Sequence, residues 1–258
     1  MVDIHPTALV SPKAKLDDNV KIGPFAVIED DVEIGYGTSV GPHAVIYNGS
    51  RLGKNINVFQ AASVGNLPQD LKFEGEDSLL FVGDNTTIRE FVTLHRGTKE
   101  TGYTKVGNKC LLMAYAHVAH DCIVGDNCII ANSVQLGGHV EIDDWVIIGG
   151  TSAVHQFVKI GKHVMIGGGY RVVNDVPPFI LAAHEPLRYN GLNTVGLRRR
   201  GFSNEDIYKL KEAYALIYNP KLNYSQALEE LRNKFPDDEN IKSVIEFIGN
   251  SKRGIIKG

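Results

Sequence analysis

The sequence predicts a mainly β protein, in which a parallel β-helix of triangular coils is followed by a small α-helical domain. Two observations predict this. An aliphatic residue recurs at every sixth position through most of the chain, a period that matches neither an α-helix nor the simple alternation of a strand. From about residue 177 this period stops, and apolar residues then recur at helical spacing. At 258 residues the chain has room for both parts.

The six-residue repeat begins at Ile4. Each repeat is interpreted as a short strand and a tight turn that form one side of a coil, so that three repeats close an 18-residue coil. The residue four positions after each aliphatic one is small or β-branched and is expected to face the interior. The aliphatic positions are Ile4, Val10, Leu16, Ile22, Ile28, Ile34, Val40, Ile46, Leu52, Val58, Val64, Val82, Ile88, Leu94, Val106, Leu112, Val118, Val124, Ile130, Leu136, Ile142, Ile148, Val154, Ile160, Ile166 and Val172.

Two polar segments, near residues 66–79 and 97–105, lack the aliphatic marks. They are expected to loop out of the coil, and loops on a rigid scaffold are common places for binding groups. Pro177 and Pro178 should stop strand pairing. The sequence therefore predicts a β-helix over residues 1–176.

The remaining chain is divided into a connector, 177–189, and a helical domain, 190–258. Ser203 can cap a helix that runs to about Tyr218, and Ser225 can cap a second helix through Phe235. Residues 241–248 are predicted to form a third. This domain is expected to cover the open end of the β-helix.

Composition excludes several classes of protein. A net charge of -3 argues against a broad nucleic-acid surface. No amino-terminal signal and no apolar run of membrane-spanning length is found, so a cytoplasmic protein with no integral membrane segment is expected. The three cysteines, Cys110, Cys122 and Cys128, all fall at the small inward position and are interpreted as buried apolar side chains.

The 18-residue coil places several histidines in one vertical line. His120 precedes Gly138 by one coil, and Gln156 follows Gly138 by one coil, with His139 and His155 beside them. Stacked residues lie about 4.8 Å apart. His117 lies just before this line. Isolated turn histidines are usually structural, but this stack indicates a site.

An imidazole can accept a proton near neutral pH, and a backbone N–H beside it can stabilise an oxyanion. His120 is therefore predicted to be the general base of an acyl transfer, with Gly138 as the oxyanion donor. Asp121 or a backbone carbonyl could hold the second nitrogen of His120. No metal is assigned to the site.

Two further features stand outside this line. Gly149 and Gly150 lie one coil below Gly167, Gly168 and Gly169, where missing side chains would leave a groove for an extended chain. Arginines 198–200 could bind the phosphates of a nucleotide, or they could bind an acidic carrier protein. They could also form only a solvated turn.

The repeat resembles the hexapeptide family of left-handed parallel β-helices, and the handedness is taken from that resemblance. From about residue 4 to 257 the chain also resembles the acyl-acyl carrier protein–UDP-N-acetylglucosamine O-acyltransferases that open lipid A synthesis in Gram-negative bacteria. The motifs that carry this resemblance are Gln69-Asp70-Leu71-Lys72, Leu94-His95-Arg96-Gly97-Thr98, Ala116-His117-Val118-Ala119-His120-Asp121-Cys122, Ala153-Val154-His155-Gln156-Phe157, Asp175-Val176-Pro177-Pro178 and Arg199-Arg200-Gly201-Phe202.

The resemblance implies transfer of a 3-hydroxyacyl chain from acyl carrier protein to the 3-hydroxyl of UDP-N-acetylglucosamine, with no cofactor beyond the phosphopantetheine that carries the acyl group. His120 would be the base and Gly138 the oxyanion donor. Gly168 would measure acyl length, and its small size implies a long chain. The remaining substrate-binding residues would be Gln69, Asp70, Lys72, His95, His117, His139, His155, Gln156, Asn193, Arg199 and Arg200. Val195 stands where the family leads us to expect an acidic residue, which puts one nucleotide contact in doubt.

Three rivals are kept beside this hypothesis. The sister N-acyltransferase has a substantial domain before its repeats, whereas the repeats here begin at Ile4. A carbonic anhydrase class uses three histidines between subunits, for which His95, His117 and His120 could serve. The third rival is a non-catalytic solenoid. A homotrimer is expected, because trimers suit a three-sided prism.

Overall fold

The computed structural model describes all 258 residues, and most of them form a parallel β-helix with three flat faces. Most hexapeptides supply a strand of only two residues, and strands one coil apart pair in parallel. Val118 pairs with Leu136, and Leu136 pairs in turn with Val154, which confirms the 18-residue coil.

Each face is one sheet. Face A consists of Asp3–Ile4, Lys21–Ile22, Ser39–Val40, Asn57–Val58, Thr87–Ile88, Leu111–Leu112, Ile129–Ile130, Ile147–Ile148, Met165–Ile166, Ile180–Ala183 and Arg188–Leu192. Face B consists of Leu9–Val10, Val27–Ile28, Val45–Ile46, Ser63–Asn66, Thr93–His95, His117–Val118, Gln135–Leu136, Ala153–Val154 and Arg171–Val172. Face C consists of Lys15–Leu16, Val32–Ile34, Ser50–Leu52, Leu79–Val82, Tyr103–Val106, Ile123–Val124, Glu141–Ile142 and Lys159–Ile160.

The turns between faces form three edges of the prism. We name each edge after the faces that it joins. The A–B edge includes residues 149–152 and 167–170, the B–C edge includes 119–122, and the C–A edge includes 161–164.

The interior is filled by the aliphatic and small positions of the repeat. Val118, Val124 and Leu136 are almost wholly removed from water, and so are the cysteines of the inward position. Cys122 donates a hydrogen bond from Sγ to the carbonyl of Gly137, 3.1 Å away. Burial of apolar surface at successive levels is what stabilises the stack.

The third residue of most turns adopts a left-handed backbone conformation. Asp121 has a φ of 60° and His139 a φ of 59°. Aspartate, asparagine and histidine adopt this conformation more often than most other residues. Because most turns share this conformation, side chains one coil apart stack along an edge.

Two segments leave the coil, and both leave at the B–C edge. They cover residues 67–78 and 96–102, slightly less than the segments expected near 66–79 and 97–105. The difference arises because the last residues of both expected segments belong to strands. Leu79–Val82 and Tyr103–Val106 pair with each other as four-residue strands. Both loops therefore stand on the edge that carries His120.

The stretch 177–189, expected as a connector, contains regular structure. Ile180–Ala183 pairs in parallel with face A and in antiparallel fashion with Arg188–Leu192. Neither strand carries the hexapeptide marks, so the repeat could not indicate them. This hairpin extends face A beyond the last coil.

Four helices complete the chain: α1 (Thr194–Arg199), α2 (Asn204–Ile217), α3 (Tyr224–Lys234) and α4 (Glu239–Gly249). Ser203 caps α2, as predicted. The cap of α3 is Asn223 rather than Ser225, because Asn223 and Gln226 form a reciprocal capping box. Helix α1 was not predicted.

The helical domain packs on the end of the solenoid. Tyr214 of α2 is buried and donates a hydrogen bond to the carbonyl of Pro178. Tyr189 of the terminal hairpin stacks on Tyr214 and Tyr218. None of the four helices combines the length and apolar character that crossing a lipid bilayer would require.

Candidate active site

His120 and Asp121 form an imidazole–carboxylate pair at the B–C edge. The Nδ1 atom of His120 lies 2.7 Å from Oδ2 of Asp121. The Asp121 side chain is fully buried, whereas 14% of the His120 side chain is exposed. The carboxylate accepts the Nδ1 proton, which leaves Nε2 of the neutral ring free to act as a base. Of the two partners left open for the second nitrogen, the structure places Asp121 there.

The loop 96–102 supplies further hydrogen bonds to Asp121. The Thr98 N–H donates to Oδ1 at 2.9 Å, and the Thr98 hydroxyl donates to Oδ2 at 2.8 Å. The Thr101 hydroxyl also donates to Oδ1. The backbone N–H of Asp121 donates to the hydroxyl of Thr104 at 2.7 Å. Sequence reasoning missed these threonines, because a loop has no repeat register to count.

The surroundings of the pair shift both pKa values. Burial alone would raise the pKa of Asp121, but hydrogen bonds from His120, Thr101 and Thr98 lower it well below its ordinary value. The hydrogen bond to Asp121 raises the pKa of His120 against the effect of burial, and the negative charges of Asp121, Asp70 and Glu100 raise it further. The pair is thus an ionised carboxylate beside a strengthened base.

Gly138 lies against the ring of His120, one coil above it. A β-carbon on Gly138 would lie 2.7 Å from Cε1 and 2.8 Å from Nε2 of His120. The N–H of Gly138 makes no hydrogen bond within the chain. Prolines at the same turn position in lower coils, such as Pro24 and Pro42, show that the fold needs no donor there. This N–H is therefore free to bind an oxyanion.

Other histidines surround the pair. The His139 ring meets the His120 ring edge-on at 5.3 Å and stacks on Phe157 at 4.5 Å. Nε2 of His139 lies 3.4 Å from Oε2 of Glu100. His139 thus forms one wall of the site.

His117 and His95 extend the group along the face B side. Nδ1 of His117 lies 2.7 Å from the hydroxyl oxygen of Thr93, and its ring meets His95 edge-on at 4.9 Å. Burial lowers the pKa of His117, and the charge of His120 lowers it further. Burial also lowers the pKa of His95 to about 4. Both rings are therefore neutral at neutral pH and can act as hydrogen-bond donors or acceptors.

The loop 67–78 brings Asp70 to the same edge. Its charge contributes to the raised pKa of His120. Gln69 and Lys72 are exposed, and Lys72 uses only its backbone N–H, which donates to Oδ1 of Asp70 at 3.0 Å. Their side chains are available to a ligand.

Gln156 and His155 lie one coil above Gly138 on the same edge. Both are exposed. The His155 ring is turned to the carbonyl of Gln156, with Nδ1 and O 3.0 Å apart. The predicted vertical line of turn residues is therefore present in the structure.

The predicted nucleotide group lies on a different edge. Asn193 caps α1 by accepting a hydrogen bond from the Gly196 N–H, and it donates another to the carbonyl of His163 on the C–A edge. The guanidinium of Arg200 covers the ring of Trp145 at 5.1 Å. Nη1 of Arg200 lies 3.4 Å from Nδ1 of His163.

The arginines of the cluster therefore differ. Arg200 is committed to the solenoid, whereas the exposed Arg199 side chain makes no polar contact within the chain. Arg198 reaches Oδ1 of Asn204 at 3.5 Å. Val195 is 60% exposed beside them, so an acidic residue would fit there, but this chain lacks one.

Gly168 lies on the third edge, A–B. A β-carbon there would meet the carbonyl oxygen of Gly150 at 3.1 Å, so the two glycine turns are stacked closely. The outward positions of the adjoining face A are apolar and only partly buried, namely Leu111, Ile129, Ile147 and Met165. A shallow apolar surface thus borders the glycine turns.

The ligand-type side chains also allow the metal rival to be examined. The group of three with atoms within 4.8 Å of one another is His120, Asp121 and His139. It is not the set of His95, His117 and His120 that the rival would use. The oxygens of Asp121 already accept hydrogen bonds from His120, Thr98 and Thr101. In this structure the Asp121 carboxylate serves as a hydrogen-bond acceptor.

A hexapeptide solenoid with an oriented imidazole–carboxylate pair and an unbonded backbone N–H beside it has the features expected of an acyltransferase of the left-handed β-helix class. The six-repeat family described as bacterial transferase hexapeptide matches residues 13–55 and 103–138. The family described as UDP N-acetylglucosamine O-acyltransferase, domain 2, matches residues 175–256.

Two curated relatives and one solved structure agree. An acyl-[acyl-carrier-protein]–UDP-N-acetylglucosamine O-acyltransferase of Burkholderia lata is 51% identical over the full length of both chains. The enzyme of the same name from Aliarcobacter butzleri is 51% identical over 99% of this chain and 98% of that one. The UDP-N-acetylglucosamine acyltransferase structure from Bacteroides fragilis superposes with a TM-score of 0.96 at 46% identity, covering 98% of this chain and 99% of that one.

This chain belongs to the family of acyl-[acyl-carrier-protein]–UDP-N-acetylglucosamine O-acyltransferases. Membership confirms the resemblance, the left-handed β-helix and the prediction of an O-acyltransferase.

Proposed function

We propose that the enzyme transfers a 3-hydroxyacyl chain from acyl carrier protein to the 3-hydroxyl of UDP-N-acetylglucosamine, the first step of lipid A synthesis, with His120 as general base. The observation that carries this proposal is the His120–Asp121 pair beside the free N–H of Gly138. Family membership supports the choice of substrates.

In the proposed reaction His120 is the base and the Gly138 N–H is the oxyanion donor. Nε2 of His120 takes the proton of the sugar hydroxyl as its oxygen attacks the thioester carbonyl. The Gly138 N–H donates to the oxyanion of the tetrahedral intermediate. When the carbon–sulfur bond breaks, the imidazolium returns its proton to the phosphopantetheine thiolate. Asp121 stays ionised throughout and steadies the charged ring.

The surrounding residues are assigned to substrate binding. His117, His139, Gln156, Asp70 and Lys72 line the cleft for the sugar nucleotide. Gln69 and His95 also belong to this lining, and His155 stands at its upper end. Asp70 and Gln69 are well placed on an exposed loop to meet the 3-hydroxyl of the acyl chain.

A homotrimer is part of the proposal, because the proposed site residues lie on different edges of the prism within one chain. His120 lies on the B–C edge, Gly168 on the A–B edge, and Asn193 on the C–A edge. A solid apolar core lies between these edges, so one substrate cannot touch all three in the same chain. Packing of three prisms side by side would bring edges of neighbouring copies together.

The test uses the full chain with UDP-N-acetylglucosamine and a series of 3-hydroxyacyl carrier proteins, with the product identified by mass spectrometry. We expect the 3-O-acyl product. We expect His120→Ala to lose nearly all activity while it stays folded, with a lower melting temperature because the buried Asp121 loses one hydrogen-bond donor. His5→Ala, which changes an exposed turn histidine of the first coil, is the matched control and should retain activity. Full activity in His120→Ala would remove His120 from the role of base.

The trimer is tested in two ways. Sedimentation should give the mass of three chains of 28.3 kDa. At a sugar-nucleotide concentration far below the raised KM of Arg199→Ala, both single variants should be nearly inactive, and their coexpression should restore activity in mixed trimers. A chain that carries both changes should stay inactive. No restoration in verified mixed trimers would contradict a site shared between subunits.

The reaction as proposed uses no cofactor other than the phosphopantetheine on the donor. Stoichiometric zinc, with activity lost on chelation and regained on zinc addition, would favour the metal rival instead. A cytoplasmic location fits two water-soluble substrates and stays a prediction.

A further inference from the structure

The loop 96–102, which we call the clamp loop, closes on itself at its base. A β-carbon on Gly97 would lie 2.3 Å from the backbone nitrogen of Tyr103, so the two ends of the loop touch. The Gly102 N–H donates to the carbonyl of Thr98 at 2.7 Å. The Thr101 hydroxyl oxygen also lies 2.9 Å from the carbonyl oxygen of Tyr103, so its single proton is shared between that carbonyl and Oδ1 of Asp121. The loop is therefore compact and held by its own hydrogen bonds.

The clamp loop directs its polar groups at one atom pair, the carboxylate oxygens of Asp121. Three donors reach them, namely the Thr98 N–H, the Thr98 hydroxyl and the Thr101 hydroxyl. The Asp121 side chain is wholly buried, and Thr98 is 4% exposed. An ionised carboxylate in such a place is stable only when its lone pairs are satisfied.

We propose that Thr98 and Thr101 are positioning residues whose hydroxyl groups hold Asp121 in place and thereby fix the tautomer and ring orientation of His120. This inference rests on the proposed role of His120 as base. Neither threonine touches the reacting atoms. They act through Asp121, which holds the Nδ1 proton of the ring and leaves Nε2 available.

The clamp loop is also tied to the substrate loop 67–78. The Lys99 N–H donates to Oε1 of Glu76 at 3.0 Å, and the Lys99 ammonium lies 3.3 Å from Oε2 of Glu74. The loop that carries Asp70 thus leans on the loop that positions Asp121. Both loops are built over the one edge that carries the base.

A directional consequence separates this role from simple support. Each hydroxyl dipole points its positive end at Asp121 and so reduces the negative potential at His120. Removing one hydroxyl, while Asp121 stays ionised, should raise the pKa of His120. The titratable groups that face His120 are Asp121, Asp70 and Glu100, together with the rings of His95, His117 and His139. A change of Thr101 to valine replaces none of these groups, and of them only Asp121 loses a hydrogen bond.

The experiment is a nitrogen-15 NMR titration of histidine-labelled full-length protein, with His120→Ala used to assign the signal. In the unsubstituted protein the neutral His120 ring should carry its proton on Nδ1. Thr101→Val should raise the pKa of His120 by at least about 0.3 units, and kcat should fall about tenfold with little change in the KM for the sugar nucleotide. Thr101→Ser should restore both.

Thr86→Val is the matched control. Thr86 is buried, as Thr98 is, whereas Thr101 is exposed. The Thr86 hydroxyl donates to the carbonyl of Gly107 and does not touch Asp121. It should leave the His120 signal and kcat unchanged. An unaltered His120 tautomer and pKa in the double variant Thr98→Val/Thr101→Val would overturn the inference. Because the NMR readout does not depend on turnover, a His120→Ala enzyme that stayed active would sink the base assignment alone.

Discussion

Gly138→Ala should disable the enzyme by displacing the His120 ring. The new methyl group would lie 2.7 Å from Cε1 of His120, whereas ordinary contact begins at 3.4 Å. The ring must therefore move away by most of an ångström. A misplacement of about 1 Å at a reacting group costs on the order of 100-fold in rate, which corresponds to about 2.7 kcal/mol of transition-state stabilisation.

The substitution should leave the fold intact. Gly138 does not have the positive φ that marks several other glycines of the chain, so alanine fits its backbone. The N–H that serves the oxyanion is also kept. We expect the free energy of unfolding to change by no more than about 1 kcal/mol. A fall in kcat can then be assigned to the ring and not to a lost donor.

The assay compares kcat for 3-O-acylation and the melting temperature of Gly138→Ala with those of Gly249→Ala. Gly249 ends α4 and has open space where a β-carbon would stand, so its variant should keep full activity. A Gly138→Ala enzyme with kcat within about threefold of the unsubstituted enzyme would refute the contact between this turn and the base.

Four other substitutions test separate parts of the site. Asp121→Asn removes the charge that raises the pKa of His120. Because the base acts when unprotonated, the acid limb of the pH–kcat/KM profile should move to lower pH. An acid limb that stays in place would contradict the pairing of His120 with Asp121. Arg199→Ala should raise the KM for the sugar nucleotide without changing stability. Arg200→Ala should lower the free energy of unfolding by about 0.5–1 kcal/mol, because its contact with Trp145 is lost. Kinetics and denaturant titration of both variants measure these effects. Gly168→Met should shift the preferred acyl donor to a shorter chain in a competition between donors, and an unchanged preference would separate Gly168 from acyl selection.

The repeat allowed the solenoid and its stacked residues to be predicted because its period is directly tied to geometry. Counting 18 residues from His120 reaches Gly138, and the structure puts them in van der Waals contact. Counting fails where the chain leaves the coil. The threonines of the clamp loop lie 20 and 23 residues from Asp121 and could not be paired with it by any period.

The same limit explains the misses in the carboxyl-terminal part. The hairpin of Ile180–Ala183 and Arg188–Leu192 is formed by non-local pairing that no local pattern marks. Asn223 and Ser225 could both cap α3. Asn223 does so because the Gln226 side chain returns a hydrogen bond to the Asn223 backbone. The place of Arg200 over Trp145 depends on how α1 lies on the C–A edge, which no local pattern marks. Its role as a phosphate ligand stays a prediction.

The stacking of identical coils limits how this protein can change its own dimensions. The height that separates the His120 level from the helical cap can grow or shrink only by whole coils, each about 4.8 Å tall. Loss of a single hexapeptide would instead rotate everything above it by one face and carry the cap to another edge. Distances along the prism axis are therefore quantised, so fine adjustment of substrate fit is left to side chains and to the two loops that leave the coil.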